Sequence, residues 1–290
     1  MKGIVLAGGK GSRLNPMTLA VNKHLLPVYD KPMIYYPLSV LMLGGIQDIA
    51  LISNPEDQHL FQRMFGDGSR LGLHITYFVQ EEAKGIPEAF LITQEWLQGD
   101  DVCLILGDNI FFGESFGQKL HHAISNLNGA TIFTQQVNNP QRFGVACFDE
   151  NDNIIGLYEK PSEWISNSAI TGLYLFDAQV SQFAANTHPS QRGELEIMDV
   201  LEQYRQQQRL QHTPLGRGFA WLDAGTAESL LDAGSCIHTI EKMQGLKIAC
   251  LEELALRQGW CSKQTILQHN SNQSQSAYDV YVQQFLEQLP

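Results

Sequence analysis

The chain lacks a hydrophobic run that could cross a bilayer, a Cys-x-x-Cys pair and an excess of basic residues. No apolar stretch of its 290 residues approaches the roughly 20 that a membrane-spanning helix needs. The five cysteines are scattered and the nine histidines include no His-x-x-x-His pair. We therefore expect reduced, mostly buried thiols rather than a disulfide framework or a zinc site. The net charge of −12 disfavours binding to nucleic acid polymers, because proteins that bind them present a positively charged surface.

The acidic balance still allows a mononucleotide ligand, because such a site needs only a local positive patch. An acidic body is also compatible with recruiting Mg²⁺. The N-terminus leads directly into the apolar run Ile4–Ala7 without the pattern of a signal peptide, so we expect a cytoplasmic protein. A chain of this length can bury one large core, with or without an appendage.

Short apolar runs alternate with helical patterns through the first half of the chain. This alternation predicts an α/β fold with a Rossmann-like, open, mostly parallel twisted sheet and helices on both faces. After Asn138, shorter strands predict a small antiparallel addition, and residues from about 245 predict a C-terminal helical extension. The predicted strands are Ile4–Ala7, Ile49–Ile52, His74–Val79, Val102–Leu106, Ala130–Gln135, Gly144–Phe148, Ile154–Tyr158, Ile170–Phe176 and Phe219–Leu222. The predicted helices are Met33–Leu43, Pro55–Phe65, Pro87–Leu97, Phe116–Asn126, Glu196–Gln207 and Thr226–Met243.

Two local features add detail to this outline. Asn54 is expected to cap the helix that begins at Pro55, because asparagine is favoured at the N-cap. The polar stretch Ser262–Ser276 is expected to be loosely ordered within the C-terminal extension.

The most informative segment is the strand Ile4–Ala7 with the glycine-rich loop that follows it. Gly8, Gly9 and Gly11 permit backbone angles and a close approach that a Cβ would prevent. Successive N–H groups in such a loop form a concavity that binds anions, as a triphosphate requires. The loop fits neither a Walker A sequence nor the dinucleotide fingerprint, because their lysine and glycine spacings are absent.

Charged residues accompany this loop. Arg13 and Lys23 are candidates to neutralise the negative charge that grows during phosphoryl or nucleotidyl transfer; the alternative is a pair of ordinary surface cations. Asp108 and Asp223 each follow an apolar strand, and ligands bind at the carboxyl ends of strands in open α/β sheets. Two such aspartates beside a phosphate loop indicate Mg²⁺, which usually takes one or two carboxylates together with phosphate oxygens and water. A helix cap or a solvated turn is the alternative for either aspartate.

The segments Leu6–Leu14 and Lys23–Pro27 resemble the sugar nucleotidyltransferases, and Leu25–Ser39 is similar to their glucose-1-phosphate thymidylyltransferase branch. The resemblance extends to about Trp260 through Gly107–Asn109, Glu159–Pro161, Arg192–Glu196 and Gly216–Asp223. It implies transfer of a thymidylyl group from dTTP to glucose 1-phosphate, with Mg²⁺ on Asp108 and Asp223. It also implies a homotetramer with feedback at a second site near the C-terminal helices. Two alternatives stay open. The enzyme could use UTP or an amino- or deoxy-sugar 1-phosphate, or the protein could be a non-catalytic sensor of nucleotide sugars.

By this resemblance the core spans 1–243, with a nucleotide-binding part at about 1–137 and a sugar-binding part at about 138–225, and the extension spans 244–290. The catalytic residues are Arg13, Lys23, Asp108 and Asp223. The nucleotide-binding residues are Leu6, Ala7, Gly8, Gly9, Gly11, Ser12, Gln80, Gly85 and Asp108. The residues that bind the sugar phosphate are Gly144, Glu159, Lys160, Gly172 and Arg192.

Several of these assignments have plainer alternatives. The amide of Gln80 offers a donor and an acceptor that match the O4 and N3–H edge of thymine or uracil, without separating the two bases. Glu159 and Lys160 also fit an ordinary charged turn, Arg192 a helix-start charge, and Gly144 and Gly172 plain strand glycines. Trp221 is expected in the core rather than as a stacking platform.

The chain departs from the family pattern at three places. Ala224, Glu88 and Met198 stand where the family usually has threonine, glutamine and threonine, and Glu88 adds a negative charge near the nucleotide pocket. These changes concern substrate preference more than the reaction.

Overall fold

The computed structural model of the protein describes residues 1–190, 192–269 and 276–288. The strands are β1 Lys2–Ala7, β2 Pro27–Val28, β3 Lys31–Pro32, β4 Asp48–Ser53, β5 His74–Val79, β6 Val102–Leu106, β7 Asn109–Phe112, β8 Ala130–Gln136, β9 Gly144–Phe148, β10 Ile154–Glu159, β11 Ser168–Phe176, β12 Leu210–Pro214 and β13 Ala220–Asp223. The helices are α1 Tyr35–Leu43, α2 Gln58–Phe65, α3 Glu88–Ile92, α4 Gln94–Leu97, α5 Phe116–Ser125, α6 Val180–Ala185, α7 Ile197–Gln206, α8 Ala227–Gln244, α9 Leu251–Arg257, α10 Lys263–His269 and α11 Ala277–Gln288.

Nine strands form one open sheet. Its order is β10-β9-β11-β6-β1-β4-β5, with β8 beside β11 and β12 beside β8. Strands β6, β1, β4 and β5 run parallel, and so do β8 and β12. Strand β11 pairs antiparallel with β6, β8 and β9, and β9 with β10. The predicted α/β fold with a mostly parallel core and an antiparallel addition is confirmed.

The central strands are apolar on both faces because helices cover both sides of the sheet. In β1, Ile4 belongs to one hydrophobic cluster and Val5 to the other, as expected when successive side chains point to opposite faces. Both residues are fully buried. Continuous apolar runs of this kind are typical of parallel strands buried on both faces.

The structure corrects several boundaries. The strand predicted at Phe219–Leu222 is β13, which begins one residue later and pairs with β7 in an antiparallel ribbon separate from the main sheet. Helix α2 begins at Gln58 rather than Pro55, and the helix predicted at Pro87–Leu97 is broken at Thr93 into α3 and α4.

The C-terminal extension is helical, as predicted. Helix α8 begins with a capping box. The Thr226 hydroxyl accepts from the Ser229 N–H, and the Ser229 hydroxyl accepts from the Thr226 N–H. The segment Ser262–Ser276 was expected to be loosely ordered, and this is wrong for its first part, which forms α10. Residues 270–275 of the segment lie outside the described residues. All five cysteines carry free thiols. Within the described ranges, every helix is too short or too polar to traverse a lipid bilayer.

Candidate active site

The glycine-rich loop leaves the carboxyl end of β1, after Leu6 and Ala7, and is tied to the chain that follows β4. Gly9 adopts a positive φ of 101°, which a residue with a side chain rarely adopts. Its N–H donates to Asn54 Oδ1 at 3.0 Å. The Asn54 amide in turn donates to the Asp57 carboxylate at 3.3 Å, so the predicted N-cap role of Asn54 is wrong. Its side chain holds the loop instead.

The loop ends in a short 3₁₀ turn at Ser12–Leu14, which carries Arg13, and Gly11 packs against the Lys23 side chain. Lys23 lies on another 3₁₀ turn, Lys23–Leu25, in which the Asn22 side chain accepts from the His24 N–H. The two predicted cations are therefore held by adjacent turns beside the loop.

Lys23 forms a buried ion pair with Asp108, two residues beyond β6. The Lys23 Nζ atom lies 2.7 Å from Asp108 Oδ2, and Asn109 donates to Oδ1 at 3.0 Å. Burial alone would raise the pKa of Asp108, but the Lys23 ammonium outweighs it and the pKa is lowered to about 2. Asp108 is therefore ionised, and its charge is already compensated.

His24, next in the chain, is buried and uncharged. Burial, followed by the neighbouring Lys23 charge, lowers the pKa of His24 to about 3. Its ring Nδ1 lies 2.9 Å from Asn22 Oδ1, which fits a neutral ring that donates from Nδ1. Asn22 in turn donates to Asp57 at 2.7 Å, so the turn that carries Lys23 is joined to the loop through Asp57 and Asn54.

Asp223 lies close to Asp108 because β13 pairs with β7. Asp223 stands opposite Asn109, and the Ala224 N–H donates to the Asp108 carbonyl at 3.0 Å. No side chain among the described residues forms a hydrogen bond or ion pair with the Asp223 carboxylate. Burial and then the Asp108 charge raise the pKa of Asp223, against the attraction of Arg13. The site thus contains one compensated and one uncompensated carboxylate.

A cleft of about 230 Å³ connects these groups to the antiparallel part of the sheet. Glu159 ends β10 and lies 3.4 Å from Lys160 Nζ and 3.2 Å from Arg192 Nη2. Arg192 also pairs with Glu196 at 2.8 Å. The predicted site residues that line the cleft are Arg13, Gly85, Asp108, Gly144, Glu159, Lys160, Gly172, Arg192 and Asp223. A larger groove of about 900 Å³ near α5 and β12 contains none of the predicted residues.

Gln80 and Gly85 flank the loop on its other side. Gln80 is buried, and its Oε1 atom would lie only 2.4 Å from a Cβ placed on Gly8. Its Nε2 donates to the Glu88 carboxylate at 2.7 Å. Gly85 has a φ of 107°, and a Cβ there would lie 2.0 Å from the Leu195 carbonyl oxygen. Gln80 and Lys23 contact the walls of the cleft without lining it.

Three side chains near the cleft were not predicted to belong to the site. Asn109 Oδ1 accepts from the Gly172 N–H at 3.0 Å and from the Trp221 ring at 2.6 Å, so Gly172 serves this close approach. Trp221 packs against the core and also lines the cleft, which the core prediction missed. Arg142 lines the cleft too, and no acid of the described residues pairs with it. Its position in a Pro140–Arg142 turn gives no sequence signal.

Comparison with known proteins identifies the chain's family as the nucleotidyl transferases. The family model described as nucleotidyl transferase matches residues 2–239. A glucose-1-phosphate thymidylyltransferase of Neisseria meningitidis is 50% identical over 287 residues, which cover 99% of this chain and 100% of that protein. A glucose-1-phosphate thymidylyltransferase of Mycobacterium tuberculosis is 45% identical and covers 99% of each chain.

Solved structures agree in fold. A Bacillus anthracis crystal structure with sucrose, provisionally assigned as a glucose-1-phosphate thymidylyltransferase, has a TM-score of 0.76 and 39% identity. It covers 81% of this chain and 94% of that chain. A UDP-glucose pyrophosphorylase with UDP-glucose has a similar fold, with a TM-score of 0.72 at 20% identity and coverage of 82% and 98%. Together with the family match over residues 2–239, these relatives show that the chain is an enzyme of the nucleotidyl transferase family.

Proposed function

We propose that the protein transfers a thymidylyl group from dTTP to glucose 1-phosphate, giving dTDP-glucose and pyrophosphate. A phosphate oxygen of the sugar attacks the α-phosphorus, and the bond to pyrophosphate breaks. The observation that carries the proposal is that Arg13, Asp108 and Asp223 line the sugar-side cleft, while Lys23 pairs with Asp108 and packs against Gly11 of the loop. The substrates follow from the names of relatives that are 45 to 50% identical over nearly the whole chain.

The carboxylates fit a divalent cation of the magnesium type. The described residues contain no cluster of three or more His, Cys, Asp or Glu that would form an all-protein metal cage. Mg²⁺ instead suits one or two carboxylates with substrate phosphates, and Asp223 offers an uncompensated charge beside Asp108. We propose that these two aspartates hold Mg²⁺, which when bound neutralises phosphate charge. In this proposal Arg13 and Lys23 face the α-phosphate and the leaving pyrophosphate and stabilise their negative charge.

The remaining roles divide along the chain. We assign nucleotide binding to residues 1–137, through Leu6–Ser12, Gln80 and Gly85, and sugar-phosphate binding to 138–225. Lys160 and Arg192 bind the sugar phosphate, and Glu159 accepts hydrogen bonds from sugar hydroxyls. In the free cleft these cations are paired with Glu159 and Glu196, so a phosphate competes with carboxylates for them. Gly144 lies under the sugar, with Met198 beside it.

The test is pyrophosphate release from dTTP and UTP, each offered with a panel of sugar 1-phosphates. The proposal expects the highest kcat/KM for dTTP with glucose 1-phosphate. Higher activity with UTP or with an amino- or deoxy-sugar phosphate favours the alternative substrates. Tight nucleotide-sugar binding with no turnover of any pair favours a sensor. Asp108→Asn is expected to lower kcat by at least about 100-fold while thermal unfolding stays cooperative.

We also propose that the enzyme is a cytoplasmic homotetramer. The exposed side chains of Met17, Tyr29 and Leu231 line one apolar surface groove, which supports self-association because contiguous exposed apolar patches commonly mark interfaces. Light scattering after size exclusion measures the assembly, and a monomer at micromolar concentration contradicts the proposal.

A further inference from the structure

We propose that Glu88 is a positioning residue that fixes the polarity of the Gln80 amide and so selects against cytosine, whose N3 carries no proton. This inference rests on the nucleotide site proposed above. Glu88 is the first residue of α3, and its Oε2 atom accepts from Gln80 Nε2 at 2.7 Å and from the Lys84 N–H at 3.3 Å. It is the negative charge by which this chain departs from the family pattern.

A primary amide by itself does not have a fixed polarity. Its oxygen and nitrogen are nearly the same size, so the surrounding hydrogen bonds decide which of them faces a ligand. Here the nitrogen side of Gln80 faces acceptors only: the Glu88 carboxylate at 2.7 Å and the Gly85 carbonyl at 3.4 Å. An ionised carboxylate has no proton to donate, so the reversed amide would direct its oxygen at two other oxygens.

The oxygen side of the amide is left for a ligand. Gln80 Oε1 lies against the phosphate loop, 2.4 Å from the position of a Cβ on Gly8. Within residues 1–190, 192–269 and 276–288, no group donates a hydrogen bond to this oxygen. The residue as a whole is only 3% exposed, so the amide has no room to turn freely.

A fixed acceptor at this position selects one kind of pyrimidine. Thymine and uracil present the N3–H donor that Gln80 Oε1 accepts. Cytosine presents an unprotonated N3, which would place a lone pair against the same oxygen. Glutamine at position 88 would allow both orientations of Gln80, because a second amide can donate as well as accept. The glutamate therefore gives this chain a polarity lock that a glutamine would not provide.

The isosteric variant Glu88→Gln tests the lock, with dTTP, dUTP and dCTP as substrates and glucose 1-phosphate saturating. We expect the ratio of kcat/KM for dTTP over dCTP to fall about tenfold, the scale of a hydrogen bond to a charged group. The dTTP-to-dUTP ratio stays within about twofold, because both bases present the same edge. We expect the loss of activity with dTTP to appear as a higher KM rather than a lower kcat, since the amide is remote from the reacting phosphorus.

The matched control is Glu82→Gln, which removes one negative charge from the segment that precedes α3. The Glu82 side chain is 74% exposed and lies 3.6 Å from Lys84 Nζ, and it forms no hydrogen bond with the Gln80 side chain. An unchanged dTTP-to-dCTP ratio in Glu88→Gln overturns the proposal. An equal fall in both variants also overturns it, because net charge would then explain the effect. A second variant, Glu88→Ala, is expected to reproduce the fall.

Failure of the proposed function gives a different result. In that case the wild-type protein releases no pyrophosphate from dTTP with any sugar phosphate. The amide polarity is then decided by calorimetric binding of dTDP and dCDP. A wild-type preference for dTDP that falls about tenfold in Glu88→Gln supports the lock, and a preference that is the same in both proteins overturns it.

Discussion

Asn54 provides the sharpest test of how the phosphate loop is held. Its Oδ1 accepts from the Gly9 N–H at 3.0 Å, and its Nδ2 donates to Asp57 at 3.3 Å and to the Gly9 carbonyl at 3.4 Å. The variant Asn54→Ala removes all three contacts without touching Arg13 or Lys23. We expect the loop to lose its anchor to the chain after β4 while the cations keep their positions.

The size of the effect follows from these contacts. A neutral hydrogen bond contributes about 1 kcal/mol net, and the longer contacts bring the total to about 1–2 kcal/mol. If the anchor serves to pre-order the loop, this energy appears as a rise in KM for dTTP of about 5- to 30-fold. If the loop binds the triphosphate as proposed, it does so in the ground state and in the transition state alike, so kcat is expected to stay within about twofold.

The assay is the initial rate of pyrophosphate release across a range of dTTP concentrations at saturating glucose 1-phosphate. Glu56→Ala is the control, because Glu56 is exposed in the same turn. A KM within about twofold of the wild-type value refutes the anchoring argument. A fall in kcat at constant KM refutes it as well, since the contact would then act only in the transition state.

Three further predictions concern the scaffold. Glu241→Gln removes the charge of one of two carboxylates that pair with the buried Lys31 ammonium, at 3.1 Å, and leaves Asp30 at 2.6 Å, so urea denaturation should show a loss of about 2 kcal/mol in unfolding free energy. Gly85→Ala places a Cβ 2.0 Å from the Leu195 carbonyl oxygen, and a rise in KM for dTTP of at least about tenfold is expected in rate assays. Burial alone would raise the pKa of Asp30, but two lysine ammonium groups lower it overall, so its stabilisation is present above its unfolded pKa and is lost as the pH falls. Asp30→Asn should therefore lower the urea midpoint more at pH 7 than at about pH 3, and an equal loss at both contradicts the ion-pair argument.

Local sequence determines the strands of the sheet well. The predicted ranges His74–Val79 and Val102–Leu106 coincide with β5 and β6, because each is an apolar run bounded by turn residues. Strand β7 was missed, since its four residues follow the Asp108 turn directly and show no separate period. The pairing of β13 with β7 rather than with the main sheet depends on contacts more than 100 residues apart along the chain, which no local pattern encodes.

The candidate site shows the same division. Arg13 and the glycine loop are adjacent in sequence, so a motif predicts them together. The role of Asn54 depends on a hydrogen bond to Gly9 across 45 residues. A residue before a proline fits a helix cap equally well, and only the tertiary structure decides between the two. The contact of Glu88 with Gln80 spans eight residues, yet the intervening turn and not the spacing directs the two side chains at each other.

The distribution of charge in the site also cannot be predicted by counting its acidic and basic residues. Two acids and two cations near the loop suggest two equivalent ion pairs. The structure instead gives Asp108 a direct partner in Lys23 and leaves Asp223 with only the more distant attraction of Arg13, Lys23 and Arg142. Opposite shifts follow, with the pKa of Asp108 lowered and that of Asp223 raised. Burial and the Asp108 charge favour the protonated form of Asp223, and a divalent ion held by both carboxylates, as proposed above, would remove that tendency. We therefore expect cation binding to release protons as the pH falls towards the pKa of Asp223, and a cation affinity independent of pH would contradict this charge assignment.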